Sequence, residues 1–256
     1  MPYLDGNRYK LPVMETKTRP DCIISLTSWR RRINDVGMVI YSFLILEPVC
    51  DFRVALVLSS DEFPGKEKDI PGDLVKLQRH PRFEIIWTKR NTKAYKKYSP
   101  TAERYPDVPI ITVDDDAPAK PNFLRDIWGK HLEDPGRVIY GYNAHPCRGK
   151  GINCVRYGFG LFPPGSLFPL DDDFGIAIFG DMDDEFFRLR HVLAGSKYFQ
   201  INAYSVLYLQ AINQDTALGA AIGTDWHRLP EKWDRLFREM PELHRLWKEN
   251  VGKSNE

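Results

Sequence analysis

Three consecutive carboxylates, Asp114, Asp115 and Asp116, end the short apolar run Ile110, Ile111 and Val113, with Pro118 and Pro121 just beyond. The β-branched run reads as a buried strand, and the prolines keep that strand from continuing. Side chains alternate across an extended strand, so Asp114 and Asp116 are expected on one face with Asp115 pointing away. Like charges this close resist joint ionisation unless a cation sits beside them. An oxygen-only cluster suits a hard divalent ion such as Mg2+ or Mn2+, and such an ion usually brings a phosphate with it. The carboxyl end of a strand is also where open α/β sheets bind ligands. An acidic turn capping a helix that begins near Asn122 is the plainer account, and the apolar strand in front of the triplet weighs against it. A second acidic cluster, Asp181, Asp183, Asp184 and Glu185, precedes a helical pattern from Phe186 to Leu193. One of its members is expected to cap that helix, and Asp181 is the choice.

The elements that must position these residues alternate. Cys22 to Ser28, Phe52 to Leu58, Phe83 to Trp87 and Ile110 to Val113 read as strands. Val36 to Leu46, part of Lys66 to Gln78, and Ala94 to Tyr105 read as the intervening helices. This alternation predicts a mostly parallel sheet of βαβ units. Beyond the triplet follow a helix over Phe123 to Leu132, a strand over Val138 to Tyr142, a Gly- and Arg-rich loop from Pro146 to Gly160, and the turn Pro163-Pro164-Gly165-Ser166. The 256 residues suffice for one large domain. Hydrophobic residues at 43% and charged residues at 28% describe a globular chain, and a net charge of +1 argues against a nucleic-acid-binding face. No apolar run reaches membrane-spanning length, and Asp5, Arg8 and Lys10 fall where a signal peptide would be apolar. Cys22, Cys50, Cys147 and Cys154 have no paired spacing and read as reduced thiols of a cytoplasmic protein.

The strings IISLTSWRRRI, VLSSDEFPGKEKDIP, KAYKKYSP and ERYPDVPIITVDDD, followed by FGLFPPGSL and DMDDEFF, occur in an order that resembles bacterial sugar transferases. The chain looks like a GT-A-fold glycosyltransferase of the family-two-like kind found in polysaccharide and lipopolysaccharide assembly, over about residues 22 to 216. The resemblance implies a GT-A-like (Rossmann-like) α/β fold: a central, mostly parallel sheet flanked by helices, with a C-terminal helical appendage. An N-terminal arm would span 1–20 and the transferase domain 21–224, its nucleotide-binding half about 21–120 and its acceptor half about 121–224. The appendage would span 225–256. The implied donor is a nucleotide-sugar, UDP-linked, used with Mn2+ or Mg2+, and the implied acceptor a glycan or lipid-linked hydroxyl.

By the same resemblance Asp114 and Asp116 form the DxD motif. Asp116 contacts the metal, and Asp114 reaches the ribose or shares the metal. Thr27, Ser28, Arg32 and Asp115 belong to the donor cradle at the strand ends, with Asp61 on base or ribose and Lys96 on the diphosphate. Arg31 reads as solvated. His145 touches donor phosphate or supplies a metal ligand. Asp184 is the general base of an inverting reaction, with Asp183 next in line.

Two other classes compete. A haloacid-dehalogenase-type phosphatase also runs an apolar strand into Asp-x-Asp, but it wants the pair early in the chain and Thr or Val where Pro118 stands. A non-catalytic nucleotide-sugar or glycan-binding protein would not need the second acidic cluster. Near the end, Trp226, Leu229, Trp233, Leu236, Phe237, Met240, Leu243, Leu246 and Trp247 recur at near-helical spacing, broken by Pro241. They predict helices packed on the domain in preference to an interfacial helix, although peripheral contact at the inner face of a membrane stays open.

Overall fold

The computed structural model describes residues 18–140, 145–146, 153–154, 159–208 and 226–251. The predicted strands form as β1 (Cys22–Thr27), β2 (Phe52–Ser59), β3 (Phe83–Thr88) and β4 (Ile110–Thr112). β5 (Val138–Tyr140), β6 (His145–Pro146), β7 (Asn153–Cys154), β8 (Gly160–Phe162) and β9 (Tyr198–Gln200) follow. Seven of them make one sheet in the order β3-β2-β1-β4-β8-β5-β9. β1 pairs in parallel with both β2 and β4, and β2 with β3. β8 enters antiparallel between β4 and β5, and β5 pairs in parallel with β9.

Chain order reverses direction at β1. The path steps outward through β2 and β3, then returns to place β4 on the other side of β1. Crevices at such switch points, beyond the strands' carboxyl ends, are where open α/β sheets hold ligands. The acid triplet follows β4 at that crevice.

Alternation along β1 fixes the layers. Cys22, Ile24 and Leu26 face a core shared with Val39, Ile40 and Phe43 of α1 (Val36–Leu44) and with Phe123 and Ile127 of α4 (Phe123–Glu133). Ile23 faces the opposite layer with Ala55, Val57, Ile86 and Val108. α2 covers Gly72–Leu77. The expected basic helix over Ala94 to Tyr105 is instead two pieces, a 3-10 turn over Lys93–Lys97 and α3 over Ser99–Arg104. Pro100 at the start of α3 suits a helix N-terminus, and Thr101 Oγ1 meets Ser25 Oγ of β1 at 2.8 Å.

The remaining helices are α5 (Asp172–Phe179), α6 (Asp183–Leu193), α7 (Ala203–Val206), α8 (Leu229–Glu239) and α9 (Pro241–Asn250). The C-terminal pattern breaks at Pro241 as read. Trp233, Leu236, Phe237, Leu243 and Trp247 share one buried cluster with Phe179 of α5 and with Phe186, Leu189 and Val192 of α6. The apolar stripe is therefore core. No helix among the described residues is long and apolar enough to cross a membrane. Cys22 and Cys50 are free thiols with Sγ atoms 3.7 Å apart. Cys147 and most of the 146–160 loop lie outside the described residues.

Candidate active site

β4 stops at Thr112, and Asp115 and Asp116 lie in a turn. This corrects the expectation drawn from strand alternation. Asp115 does not point away from its neighbours' business: its Oδ2 accepts from Ser28 Oγ at 2.7 Å, and its Oδ1 from Arg32 Nη1 at 2.7 Å. The same Arg32 nitrogen lies 3.0 Å from Asp116 Oδ2. Arg32 is buried, so the carboxyl ends of β1 and β4 are locked together across the switch point by charge-assisted bonds. Burial raises the Asp115 carboxyl, and Ser28 and Arg32 offset part of that rise. Thr27, also expected in the cradle, gives its hydroxyl to the Val57 carbonyl of β2 at 2.7 Å.

Asp114 takes another direction. Its Oδ1 lies 3.2 Å from Lys97 Nζ, and that ammonium also lies 2.9 Å from Asp183 Oδ2 at the start of α6. The two acidic clusters of the sequence thus meet on one lysine, which is buried. The Asp114 side chain keeps 37% of its exposure at the mouth of this arrangement. Crowding by surrounding protein pushes its carboxyl up to about 6; Lys97 opposes the shift, and Asp116 and Asp183 add to it. Burial acts against the charged form of Lys97, but Asp114, Asp183 and Asp184 outweigh it and hold the ammonium protonated.

Lys96 is buried beside it, donating to Asn91 Oδ1 and the Lys93 carbonyl, both at 3.0 Å. Burial lowers its amine to about 8, partly opposed by Glu62 and Asp115. The 3-10 turn that carries both lysines is strapped to the far half of the chain. Thr92 Oγ1 and Ser99 Oγ donate to Asp172 at 3.1 and 2.6 Å, and Lys93 pairs with Asp181. Lys93 itself sits at φ 53°, a left-handed conformation that a non-glycine residue holds only when its surroundings impose it. The Lys93 pairing overturns the expected cap. The residue before α6 is Met182, with no side-chain cap, and Asp181 is committed to the strap.

Behind the strap, Tyr95 donates to the Gly180 carbonyl at 2.9 Å and packs on Phe186 with ring centroids 5.5 Å apart. Gly175 of α5 makes this fit possible: a Cβ there would stand 2.6 Å from Tyr95 and 2.7 Å from Phe186.

Asp61 is exposed on the rim. Its neighbour Glu62 is the residue that ties the loops together, accepting from the Arg30 backbone at 2.9 Å and from Asn91 Nδ2 at 3.2 Å. Arg31 is exposed, as read. His145 falls on β6, and its side chain lies outside the described residues. Among the described residues, no group of three or more His, Cys, Asp or Glu side chains is placed to hold a metal ion by itself. Lys97 stands next to Lys96 in the KAYKKYSP string, of which only Lys96 was expected on the diphosphate. Neighbouring lysines in a helical pattern look alike until the turn tightens to 3-10 and buries two of them.

No family model matches the chain, and no curated protein matches it. Among solved structures, it is similar to S. aureus TarS 1-349, at 12% identity over 91% of this chain and 71% of that one, with a TM-score of 0.53. It is also similar to TarS 1-349 in complex with UDP, at 11% identity over 73% of this chain and 59% of that one, with a TM-score of 0.51. At such identities the likeness is one of fold, and the α/β, GT-A-like architecture expected from the sequence is the one observed.

Proposed function

We propose that this chain is a glycosyltransferase that moves a sugar from a nucleoside-diphosphate donor, UDP-linked, to a hydroxyl of a glycan or lipid-linked acceptor in cell-surface polysaccharide synthesis. The observation that carries the reading is the meeting of Asp114 and Asp183 on Lys97 at the switch point, which joins a phosphate-side and an acceptor-side carboxylate in one crevice. The similarity in fold to a protein solved with UDP supports the choice of nucleotide.

The chemistry of the donor set suits a hard divalent cation. Magnesium-like ions on phosphates use one or two protein carboxylates and complete their shell with phosphate oxygens and water. Asp114 and Asp116 offer that pair, oxygen-only, and Asp114 remains open to solvent. They are the residues that would hold Mn2+ or Mg2+. When bound, the ion supplies Lewis-acid neutralisation of the leaving diphosphate.

The chain's own residues carry the rest. Arg32 fixes Asp115 and Asp116 against the end of β1, so the donor meets a preorganised floor. Asp184, in the first turn of α6, is assigned as general base. It would take the acceptor hydroxyl's proton as that oxygen bonds to the anomeric carbon and the bond to the diphosphate breaks, inverting the centre. Asp183, whose carboxylate forms an ion pair with Lys97, is the second candidate. The test is incubation with a panel of UDP-sugars, reading UDP release with and without Mn2+ and candidate glycan acceptors. Acceptor-stimulated UDP release supports the reading, whereas release of inorganic phosphate from phosphomonoesters would replace it with a phosphatase.

A further inference from the structure

Lys97 bridges the two acidic clusters of the site. It rises from the 3-10 turn between β3 and α3, is buried, and divides one positive charge between Asp114 after β4 and Asp183 at the head of α6. Its direction is fixed from behind, where Tyr95 of the same turn is bonded to Gly180 and packed on Phe186. Asp114 is the more exposed of its two partners, at 37% against 13% for Asp183.

A divalent cation approaching Asp114 would meet a carboxylate already half-neutralised and a like charge a few ångströms away. Resting on the glycosyltransferase reading above, we propose that Lys97 is a positioning residue whose ammonium competes with the divalent cation for Asp114 and shifts toward Asp183 when the cation binds. Lys97 thereby sets cation affinity and links occupancy of the donor side to the charge on the acceptor-side carboxylate. The linkage is reciprocal: whatever strengthens the Lys97–Asp183 pair frees Asp114 for the ion.

The sign of the effect makes this testable, since damage to a site weakens cation binding and cannot tighten it. Mn2+ affinity is measured by calorimetry on the full chain with saturating UDP, for the wild type, Lys97→Met and Lys97→Arg. In buffer held at about pH 8, so that Asp114 stays ionised once Lys97 no longer holds its carboxyl down, removing the competing charge is expected to tighten Mn2+ binding by about tenfold or more, and the arginine variant to bind as the wild type does. Lys97→Met leaves two crowded carboxylates without their counter-charge. If it fails to fold, Lys97→Met/Asp183→Asn is compared with Asp183→Asn alone, and the same tightening is expected. Unchanged or weaker Mn2+ binding in the variant, against a wild type that binds Mn2+, overturns the role given to Lys97 and leaves the transferase reading standing. A wild type that binds no Mn2+ in the presence of UDP overturns the cation reading itself, and the Lys97 proposal with it.

Discussion

At the scale of single residues, the choice of general base falls between two adjacent members of the second acidic cluster, Asp183 and Asp184. Asp183 is paired with Lys97, and Asp184 follows it in the first turn of α6. Asp184→Asn is expected to lower turnover about a hundred- to ten-thousand-fold while leaving UDP binding intact; UDP titration beside a transfer assay checks this, and loss of UDP binding would count against the assignment. Lys96 makes a different prediction. With its amine lowered to about 8 from the ordinary lysine value of 10.5, the folded state disfavours the charged form. The resulting penalty is complete below pH 8 and fades as pH rises toward 10.5, because only there does the unfolded lysine also lose its proton. Lys96→Met should therefore raise the melting temperature at pH 7, by on the order of 1 kcal/mol in stability, and lose affinity for UDP. Part of this was legible in the sequence: Ser28 and Arg32 after β1 and the triplet after β4 were read at strand carboxyl ends, and there Ser28 and Arg32 meet Asp115 and Asp116. The partner of Asp115 was not, because alternation holds only while a strand lasts, and β4 ends three residues earlier at Thr112.

At the scale of elements, the strap over Lys93–Lys97 decides where both buried lysines point, and Gly175 decides whether the strap can close. Gly175→Ala is expected to destabilise the fold by about 1–3 kcal/mol through overpacking against Tyr95 and Phe186. It should also weaken UDP binding, since it moves the turn that carries Lys96 and Lys97. Denaturant unfolding and a UDP titration measure the two effects, and an alanine variant that binds UDP like the wild type would detach the strap from the site. Strands β1, β2 and β4 were legible as mostly apolar runs of a parallel, covered sheet, and the edge strand β3 as a short β-branched and aromatic run around Glu84. The insertion of β8 between β4 and β5 was not, since an antiparallel pairing 48 residues away in sequence, Thr112 with Gly160, leaves no local pattern. Nor was the breakage of the Ala94 to Tyr105 helix, although Pro100 lay within it.

At the scale of the whole molecule, the C-terminal helices complete the core beneath α6. Trp233 is buried, donates through Nε1 to Glu185 Oε2 at 2.9 Å, and carries the Arg188 guanidinium 4.7 Å above its ring. Trp233→Ala is expected to destabilise by about 3–5 kcal/mol, read as a lowered urea midpoint, and to disturb α6 and with it Asp183. A variant of wild-type stability would reopen the interfacial account of this helix. The stripe of Trp, Leu and Phe was legible as helical, and its burial followed from its width and its interleaved acids. The central claim concerns the crevice at the switch point, and calorimetric titration of UDP tests it most directly, on the wild type and Asp116→Asn, each with Mn2+ and with excess EDTA. The account predicts that the wild type binds UDP with Mn2+, that EDTA abolishes the binding, and that Asp116→Asn loses it while melting like the wild type. UDP binding that is equal in all four titrations, or absent from the wild type with Mn2+, would contradict it.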